Sequence, residues 1–280
     1  MPISGLFDIN IVIKYNIYTM NRINRLFQQK KSEILSIYFT AGYPELNDTR
    51  KIIKLLTKNG ADMIEIGMPF SDPVADGPVI QKGNDIALKN GMSIRLLFQQ
   101  LAGIRSETDI PLIMMGYVNP VMQFGIENFC KKCNELEIDG IILPDLPYDI
   151  YEQNYKPTFK KYNLHKIFLI SPQTAEERIR MIDETSNGFI YMVSSSSTTG
   201  AKEKIVKEQE EYFIRLQNMP LKNPRLIGFG ISNHETFSHA CNYANGAIIG
   251  SAFIKSLSGE GSLEEKISGF VKMVRGKESM

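Results

Sequence analysis

The sequence predicts a single (β/α)8 barrel, because eight short apolar runs alternate with longer stretches of helical periodicity. This alternation is typical of a parallel sheet covered by helices. The chain has 280 residues, and one such barrel uses about 250. An open doubly wound sheet would carry a GxGxxG turn after its first strand, whereas residues 40–44 here read TAGYP. The runs are 35–40, 63–68, 111–117, 140–143, 166–170, 189–193, 225–229 and 246–249.

Residues 1–19 are predicted to be an N-terminal extension, and residues 20–280 the barrel domain. The extension has a strand-like run at residues 9–13 but lacks the basic start and the small-residue cleavage site of a secretory signal. Met20 is a candidate natural start, and the alternative is that residues 1–19 form an ordered extra segment. After Met20, an amphipathic pattern over residues 21–27 predicts one extra helix in front of the first strand.

The first helix between strands is predicted over residues 49–59. Asn59 and Gly60 supply its stop signal, because glycine readily adopts the left-handed conformation that ends many helices. Its apolar face consists of Ile52, Ile53, Leu55 and Leu56.

The charges are nearly balanced, with 32 Lys plus Arg against 31 Asp plus Glu. This balance predicts no binding of nucleic acid or of an anionic membrane surface. No apolar run approaches the roughly 20 residues of a membrane helix. We therefore expect a cytoplasmic protein.

Two of the three cysteines, Cys130 and Cys133, have CxxC spacing. A structural zinc site would need a second pair of ligands nearby, and no such pair lies close to these cysteines in the sequence. The pair lies inside a helical pattern, so we interpret it as two reduced helix cysteines.

One carboxylate interrupts the second apolar run, where Glu65 lies between Ile64 and Ile66. Side chains alternate along a strand, so the isoleucines should face the helices and Glu65 should point into the barrel. Burial raises the pKa of a carboxyl group, which suits a general acid–base near neutral pH. The alternative is a buried ion pair, but the basic residues in the strand runs, Lys166 and Arg225, lie at strand starts.

The loop after this strand carries two more carboxylates, Asp72 and Asp76. Active sites of these barrels lie at the carboxyl ends of the strands, so both are candidates for acid–base chemistry. Asp76 precedes Gly77, however, and Asp-Gly is also a common turn. Either aspartate alone is therefore a weaker candidate than Glu65.

The ends of the last two strands predict a phosphate site. Residues 228–233 read GFGISN and residues 250–252 read GSA. Glycines let backbone N–H groups approach an anion, and barrel enzymes often hold phosphate after strands 7 and 8. Ser232 and Glu235 fit a capping box, and turn chemistry alone is the alternative interpretation.

The loop after strand 6, residues 194–200, reads SSSSTTG. It suits a lid over the barrel mouth, and a plain connector is the alternative. The three histidines, His165, His234 and His239, form no metal-binding motif, and no nucleotide fingerprint is present. We therefore expect neither a metal nor a cofactor in this chain.

The strand-2 signature at residues 64–81, IEIGMPFSDPVADGPVIQ, resembles that of the tryptophan synthase alpha chain family. The likeness runs from about residue 20 to the C-terminus. It includes FTAG at 39–42, YVNP at 117–120, PDLP at 144–147, GFGIS at 228–232 and GSA at 250–252.

The resemblance implies a barrel lyase of L-tryptophan biosynthesis. Such an enzyme cleaves indole-3-glycerol phosphate to indole and glyceraldehyde 3-phosphate. It also implies a beta-chain partner that contains pyridoxal phosphate (PLP), receives the indole through a tunnel and forms an alpha2beta2 heterotetramer. The alternatives are a non-catalytic activator of the beta chain, an indole-releasing lyase without a partner, and an enzyme acting on another sugar phosphate.

The resemblance also implies roles by position. Glu65 matches the acid–base group at indole C3, and Asp76 matches the loop aspartate near the indole nitrogen. The matched substrate pocket residues are Tyr38, Tyr191, Thr199 and Phe229, and Thr199 pairs with the loop aspartate when the lid closes. The matched phosphate positions are Gly200, Gly230, Gly250 and Ser251.

This chain departs from the family pattern at three positions. Ser195 and Ser197 replace the usual arginine and glycine of the lid, which places the latching of the lid in doubt. Tyr38 replaces a common phenylalanine on strand 1 and adds a hydroxyl group to the pocket.

Overall fold

Eight parallel strands close into one barrel in the computed structural model, which describes residues 20–193, 207–228 and 230–276. Each strand pairs with the next along the chain, and the last pairs with the first. The predicted strand runs are confirmed to within two residues at each end. The strands are β1 (Ile34–Thr40), β2 (Met63–Gly67), β3 (Leu112–Met115), β4 (Gly140–Ile142), β5 (His165–Ile170), β6 (Ile190–Val193), β7 (Arg225–Gly228) and β8 (Gly246–Ile249).

Helices precede β1, separate the strands and follow β8, as the alternating pattern predicts. They are α1 (Arg22–Gln29), α2 (Thr49–Asn59), α3 (Pro78–Lys89), α4 (Ile94–Gln100), α5 (Val118–Phe124), α6 (Ile126–Glu135), α7 (Tyr148–Ile150), α8 (Lys156–Lys161), α9 (Glu176–Thr185), α10 (Lys207–Gln217), α11 (His234–Cys241), α12 (Ser251–Leu257) and α13 (Leu263–Val274). A 3-10 turn (Ile104–Ser106) precedes β3, and a π-helical turn (Tyr151–Tyr155) joins α7 to α8.

Helix α2 has the predicted bounds. Gly60 follows it with a φ of 94°, in the left-handed region. The four predicted apolar residues of its inner face are buried. The predicted helical position of Cys130 and Cys133 is also confirmed, because both lie buried in α6.

The extra helix α1 closes the amino-terminal end of the barrel. Asn21 caps it by accepting a hydrogen bond from the backbone N–H of Ile23 at 2.9 Å. Ile23 and Phe27 are buried among side chains that point into the barrel, and the Phe27 ring lies 5.9 Å from that of Phe189. The extra helix predicted from residues 21–27 is thus confirmed as the plug of this end.

An ionic network attaches α1 to the strand starts. Arg105 lies 2.6 Å from the buried Asp139 carboxylate, and Arg22 lies 3.4 Å from it. The same carboxylate accepts the Leu112 N–H at 2.9 Å. A buried carboxylate needs such partners to remain charged. The charged groups at this end of the barrel therefore have a structural role and are not available for catalysis.

None of the helices in the described part of the chain is long and apolar enough to cross a membrane. The predicted extension (residues 1–19) and the predicted lid (residues 194–200) lie outside the described residues.

Because α1 closes one end of the barrel, truncation of a buried side chain of this helix should cause a large loss of stability. Ile23→Ala should lower the free energy of unfolding by about 2–5 kcal/mol, because it removes buried methyl groups and leaves a cavity. Denaturant unfolding followed by circular dichroism measures this loss. Gln29→Ala, at an exposed position of the same helix, is the control, and equal effects of the two substitutions would show that α1 is not a plug.

Candidate active site

Glu65 points into the barrel from β2, as predicted, and is fully buried. Its neighbours Ile64 and Ile66 belong to the core between strands and helices. Ser36 on β1 donates a hydrogen bond to Glu65 Oε1 at 2.9 Å. The other oxygen, Oε2, has no hydrogen-bond partner among the described residues, so one edge of this carboxyl group is available to a ligand.

Burial raises the pKa of Glu65 to about 8, and the Ser36 hydrogen bond lowers it only in part. The alternative interpretation, an ion pair between Glu65 and a cation on another strand, is not found among the described residues. Lys166 donates to the carbonyl oxygens of Leu143 and Ile167 instead. Arg225 donates to the carbonyl oxygen of Leu216. Glu65 is therefore a neutral acid at pH 7.

Asp76 reaches the same pocket from the loop between β2 and α3. Asn84 on α3 donates to Asp76 Oδ2 at 3.2 Å, and Gln81 donates to its backbone oxygen at 2.8 Å. Burial raises the pKa of Asp76, while hydrogen bonds from Tyr117 and Asn84 lower it. The site thus combines two carboxyl groups. That of Glu65 is on a rigid strand, and that of Asp76 is on a loop and is held by hydrogen-bond donors.

The structure distinguishes between the two loop aspartates. The sequence left open which of them reaches the site. Asp76 is partly buried and lines the pocket with Glu65. Asp72 is exposed and does not line it. Asp76 is therefore the aspartate in reach of a molecule bound beside Glu65.

The pocket lies at the carboxyl ends of the strands and is mainly apolar. The lining residues are Tyr38, Glu65, Ala75, Asp76, Ile80, Met115, Pro144, Leu169, Tyr191, Ile248, Gly250 and Ser251.

Tyr38 and Tyr191 each lie against a glycine of the next strand. A Cβ atom at Gly67 would come within 2.3 Å of the Tyr38 hydroxyl, and one at Gly228 within 2.2 Å of the Tyr191 hydroxyl. Both rings are buried, so neither glycine position can accept a side chain without moving a tyrosine. The hydroxyl group of Tyr38 lies 3.5 Å from Thr40 Oγ1, on the pocket side of β1.

Two of the predicted phosphate residues, Gly250 and Ser251, line the pocket at the start of α12. This helix has no side-chain cap, so its first backbone N–H groups are available to an acceptor. Gly230 is in the left-handed region with a φ of 78°, after β7. The other predicted residues here, Thr199, Gly200 and Phe229, lie outside the described residues.

The predicted capping box of Ser232 and Glu235 is wrong. Asn233 caps α11 instead, because its extended backbone directs its side chain to accept the Thr236 N–H at 2.9 Å. Thr236 Oγ1 accepts the Asn233 N–H in return, at 3.2 Å. The motif is displaced by one residue because Asn233 and Thr236 form the reciprocal pair that the sequence pattern assigned to Ser232 and Glu235.

Three polar residues of the site were not predicted from the sequence. Ser36, Asn84 and Tyr117 all contact one of the two carboxyl groups. The alternation of β1 indicates that Ser36 faces the barrel interior, so a polar residue at an inward position was an available signal. Asn84 and Tyr117 come from other elements, and no local pattern points from them to Asp76.

A larger cavity of about 540 Å³ lies at the opposite end of the barrel, where α1 packs. Its charged residues are already paired, since Arg22 and Arg25 bind Asp109 and Arg22 also binds Glu137. Size therefore does not identify the active site here. The buried, unpaired carboxyl oxygen and the second carboxylate identify the mouth of the barrel.

Among the residues that the structure describes, no group of three or more His, Cys, Asp or Glu side chains could hold a metal ion.

The whole barrel, including this pocket, matches a known family. Residues 24–278 match the tryptophan synthase alpha chain family. This chain belongs to that family. A tryptophan synthase alpha chain from Flavobacterium johnsoniae is 60% identical over 256 residues, which are 91% of this chain and 100% of the relative.

Solved structures of the family agree with this fold. The tryptophan synthase alpha chain from Legionella pneumophila has a TM-score of 0.82 at 30% identity, over 92% of this chain and 97% of that chain. A chain of the tryptophan synthase complex from Pyrococcus furiosus has a TM-score of 0.79 at 32% identity, over 88% and 99% of the two chains. The family resemblance and the predicted barrel are thus confirmed.

In this family member, the buried acid predicts a stability that depends on pH. Folded Glu65 holds its proton up to about pH 8, whereas an unfolded chain releases it near 4.5. The folded state binds more protons between these values, so its stability falls as the pH rises through them. Glu65→Gln stays neutral. Its free energy of unfolding, relative to that of the wild type, should therefore rise by on the order of 1 kcal/mol per pH unit across this range.

Denaturant unfolding at a series of pH values from 5 to 9 measures this divergence. The exposed substitution Glu260→Gln is the control and should run parallel to the wild type. A constant difference between Glu65→Gln and the wild type would show that Glu65 is ionised throughout.

Proposed function

We propose that this chain cleaves indole-3-glycerol phosphate to indole and glyceraldehyde 3-phosphate, as the alpha subunit of a tryptophan synthase. The observation that carries this proposal is the pairing, in one apolar pocket, of a neutral buried carboxyl group with a second carboxylate. Membership of the family supports the substrate and the reaction.

Glu65 supplies the first proton. The bond between indole C3 and the glycerol chain breaks readily only after C3 is protonated, which gives an indoleninium ion. A carboxyl group with a pKa of about 8 holds its proton at neutral pH and presents an unpaired oxygen edge to the pocket. These are the properties of a general acid.

Asp76 stabilises the positive charge that develops at the indole nitrogen. Its carboxylate receives hydrogen bonds from Asn84 and Tyr117, which favour the ionised form against the effect of burial. A fixed negative charge acts strongly in a pocket from which water is excluded. A neutral Asp76 would lose most of this effect.

Glu65 then completes the cycle as a base. Its carboxylate removes the proton from the glycerol hydroxyl that is attached to the cleaved carbon. The electrons of that O–H bond form the aldehyde, and the electrons of the carbon–carbon bond return to the indole ring. Glu65 ends protonated, so one group serves both proton transfers and is ready for the next substrate.

The proposed phosphate site is the start of α12, beside Gly250 and Ser251, and Gly230 keeps the phosphate role that the resemblance implies. The uncapped backbone N–H groups support this placement. Thr199, Gly200 and Phe229 keep the roles that the resemblance implies, as predictions.

We further propose that this chain uses no cofactor and that PLP belongs to a beta chain bound at the barrel mouth, in the cytoplasm. The family includes the solved tryptophan synthase complex of Pyrococcus furiosus, and an alpha2beta2 stoichiometry is the form that we expect. Val74, on the same loop as Asp76, is 79% exposed, which suits a contact with a partner.

The second candidate function is a non-catalytic activator of the beta chain. An activator would need the outer loops but not a neutral carboxyl group inside the barrel. The buried Glu65 therefore favours the enzyme.

An indole-release assay tests the proposal, with and without the beta chain from the same organism. The wild type should release indole, and Glu65→Gln should lose activity by about 10²–10⁴-fold, because a general acid contributes that much. Preserved circular dichroism would show that the variant is folded. Activation of the beta chain without any indole release by the wild type would favour the activator.

The two loop aspartates provide a matched comparison. Asp76→Asn should lose most indole release by the isolated chain while retaining affinity for the phosphate group. Asp72→Asn, at an exposed position outside the pocket, should change that activity much less. If Asp72→Asn lost much more indole release than Asp76→Asn, Asp72 would be the loop aspartate that acts in the reaction.

A further inference from the structure

We propose that Tyr117 is a positioning residue for Asp76. The hydroxyl group of Tyr117 sets the position of the acid limb of the pH profile of the reaction. The proposal rests on the proposed function, since Asp76 acts there as a carboxylate. Tyr117 is buried two residues after the end of β3 and does not belong to the pocket lining described above. Its effect therefore passes through the loop that carries Asp76.

Tyr117 contacts this loop at three points. Its ring lies 5.4 Å from the ring of Phe70, near the start of the loop. Its hydroxyl oxygen accepts the backbone N–H of Ala75 at 3.0 Å. The same hydroxyl group also interacts with the Asp76 carboxyl group, and this interaction lowers the pKa of Asp76. One phenol thus contacts the loop both near its beginning, at Phe70, and near its end, at the residue that precedes Asp76.

The tyrosine itself is held from the opposite side. The preceding residue, Gly116, donates its N–H to the Ile142 oxygen at the end of β4, at 3.1 Å. The following residue, Val118, donates its N–H to both carboxylate oxygens of Asp145, at 3.0 and 3.1 Å. Tyr117 is therefore fixed by β4 and its loop, independently of the segment it supports.

Gly116 also allows close packing at this point. A Cβ atom there would lie 2.7 Å from the Met68 side chain, just after β2. The ends of β2 and β3 can therefore approach each other closely, which brings the Tyr117 hydroxyl group within reach of Ala75 and Asp76.

Among the described residues, neutral hydrogen-bond donors rather than cations stabilise the ionised form of Asp76. The titratable groups that face it are Tyr38 from β1, Glu65 from β2, Tyr191 from β6 and Tyr117. Asp145 lies behind Tyr117. Among the described residues, no lysine, arginine or histidine lines the pocket.

The ionised form of Asp76 therefore depends on the hydrogen bonds from Tyr117 and Asn84. Both lower the pKa of Asp76 against the effect of burial. The pKa values of the three tyrosines are raised by burial, so these groups stay neutral throughout the working range. Removal of the Tyr117 hydroxyl group would thus raise the pKa of Asp76 and would not change the charge of the other groups.

Tyr117→Phe is the test, because it keeps the ring against Phe70 and removes only the hydroxyl group. The acid limb of kcat/KM for indole release should move up by about one pH unit, since a hydrogen bond to the ionised form is lost. At a pH below that limb, kcat/KM should fall about tenfold. The alkaline limb, which Glu65 sets, should stay in place.

The substrate phosphate also titrates near pH 6, so a direct reading of Asp76 accompanies the kinetics. The carboxyl carbons of the aspartates are followed by 13C NMR in the wild type and in Tyr117→Phe, and Asp76→Asn assigns the signal. The Asp76 midpoint should rise in Tyr117→Phe.

Tyr162→Phe is the matched control. Its hydroxyl group also donates to a carboxylate, that of Glu127 at 2.7 Å, on the outside of the barrel. Neither the acid limb of kcat/KM nor the Asp76 midpoint should move in this variant.

An unchanged Asp76 midpoint in Tyr117→Phe would overturn the proposal, even if kcat fell, because a loss of packing alone does not change a titration. A rise in KM with both pH limits unmoved would overturn it as well. If the wild type released no indole, the proposed function would fail, and the NMR titration would still decide whether Tyr117 controls Asp76.

Discussion

The site depends on one buried carboxyl group, that of Glu65, which has too few partners to stay charged. A buried carboxylate is stable only when hydrogen bonds or cations compensate for the loss of water. Ser36 supplies one donor at 2.9 Å, and the described residues supply none to the second oxygen. The protonated form is the result. The geometry of β1 and β2 thus sets the chemical state of the group that acts on the substrate.

The rest of the barrel supports that arrangement from both ends. At the amino-terminal end, α1 and the ionic network around Asp139 close the interior. At the carboxyl end, glycines at positions 67 and 228 admit two tyrosine rings beside the pocket. Asp76 contrasts with Glu65, because its donors come from α3 and from the end of β3 and favour the charged form.

The sequence predicted the barrel because strand alternation and helix periodicity are local patterns. It also predicted that Glu65 points inward, since side chains alternate along a strand. Which group contacts that carboxyl was beyond such patterns, because closure of the barrel and the register between strands decide it. For the same reason, the contacts of Tyr117 and Asn84 with Asp76 appeared only in the folded chain. The displaced cap at Asn233 shows that two overlapping capping patterns are separated only by backbone conformation.

Direct titration of Glu65 is the measurement closest to the central claim. The side-chain carboxyl carbons of glutamate can be labelled with 13C and followed by NMR from pH 4 to 10, with Glu65→Gln identifying the signal. The structure predicts a midpoint near pH 8. A midpoint near the ordinary value of 4.5 would show that Glu65 is ionised at neutral pH, and would contradict its role as the acid that protonates the substrate.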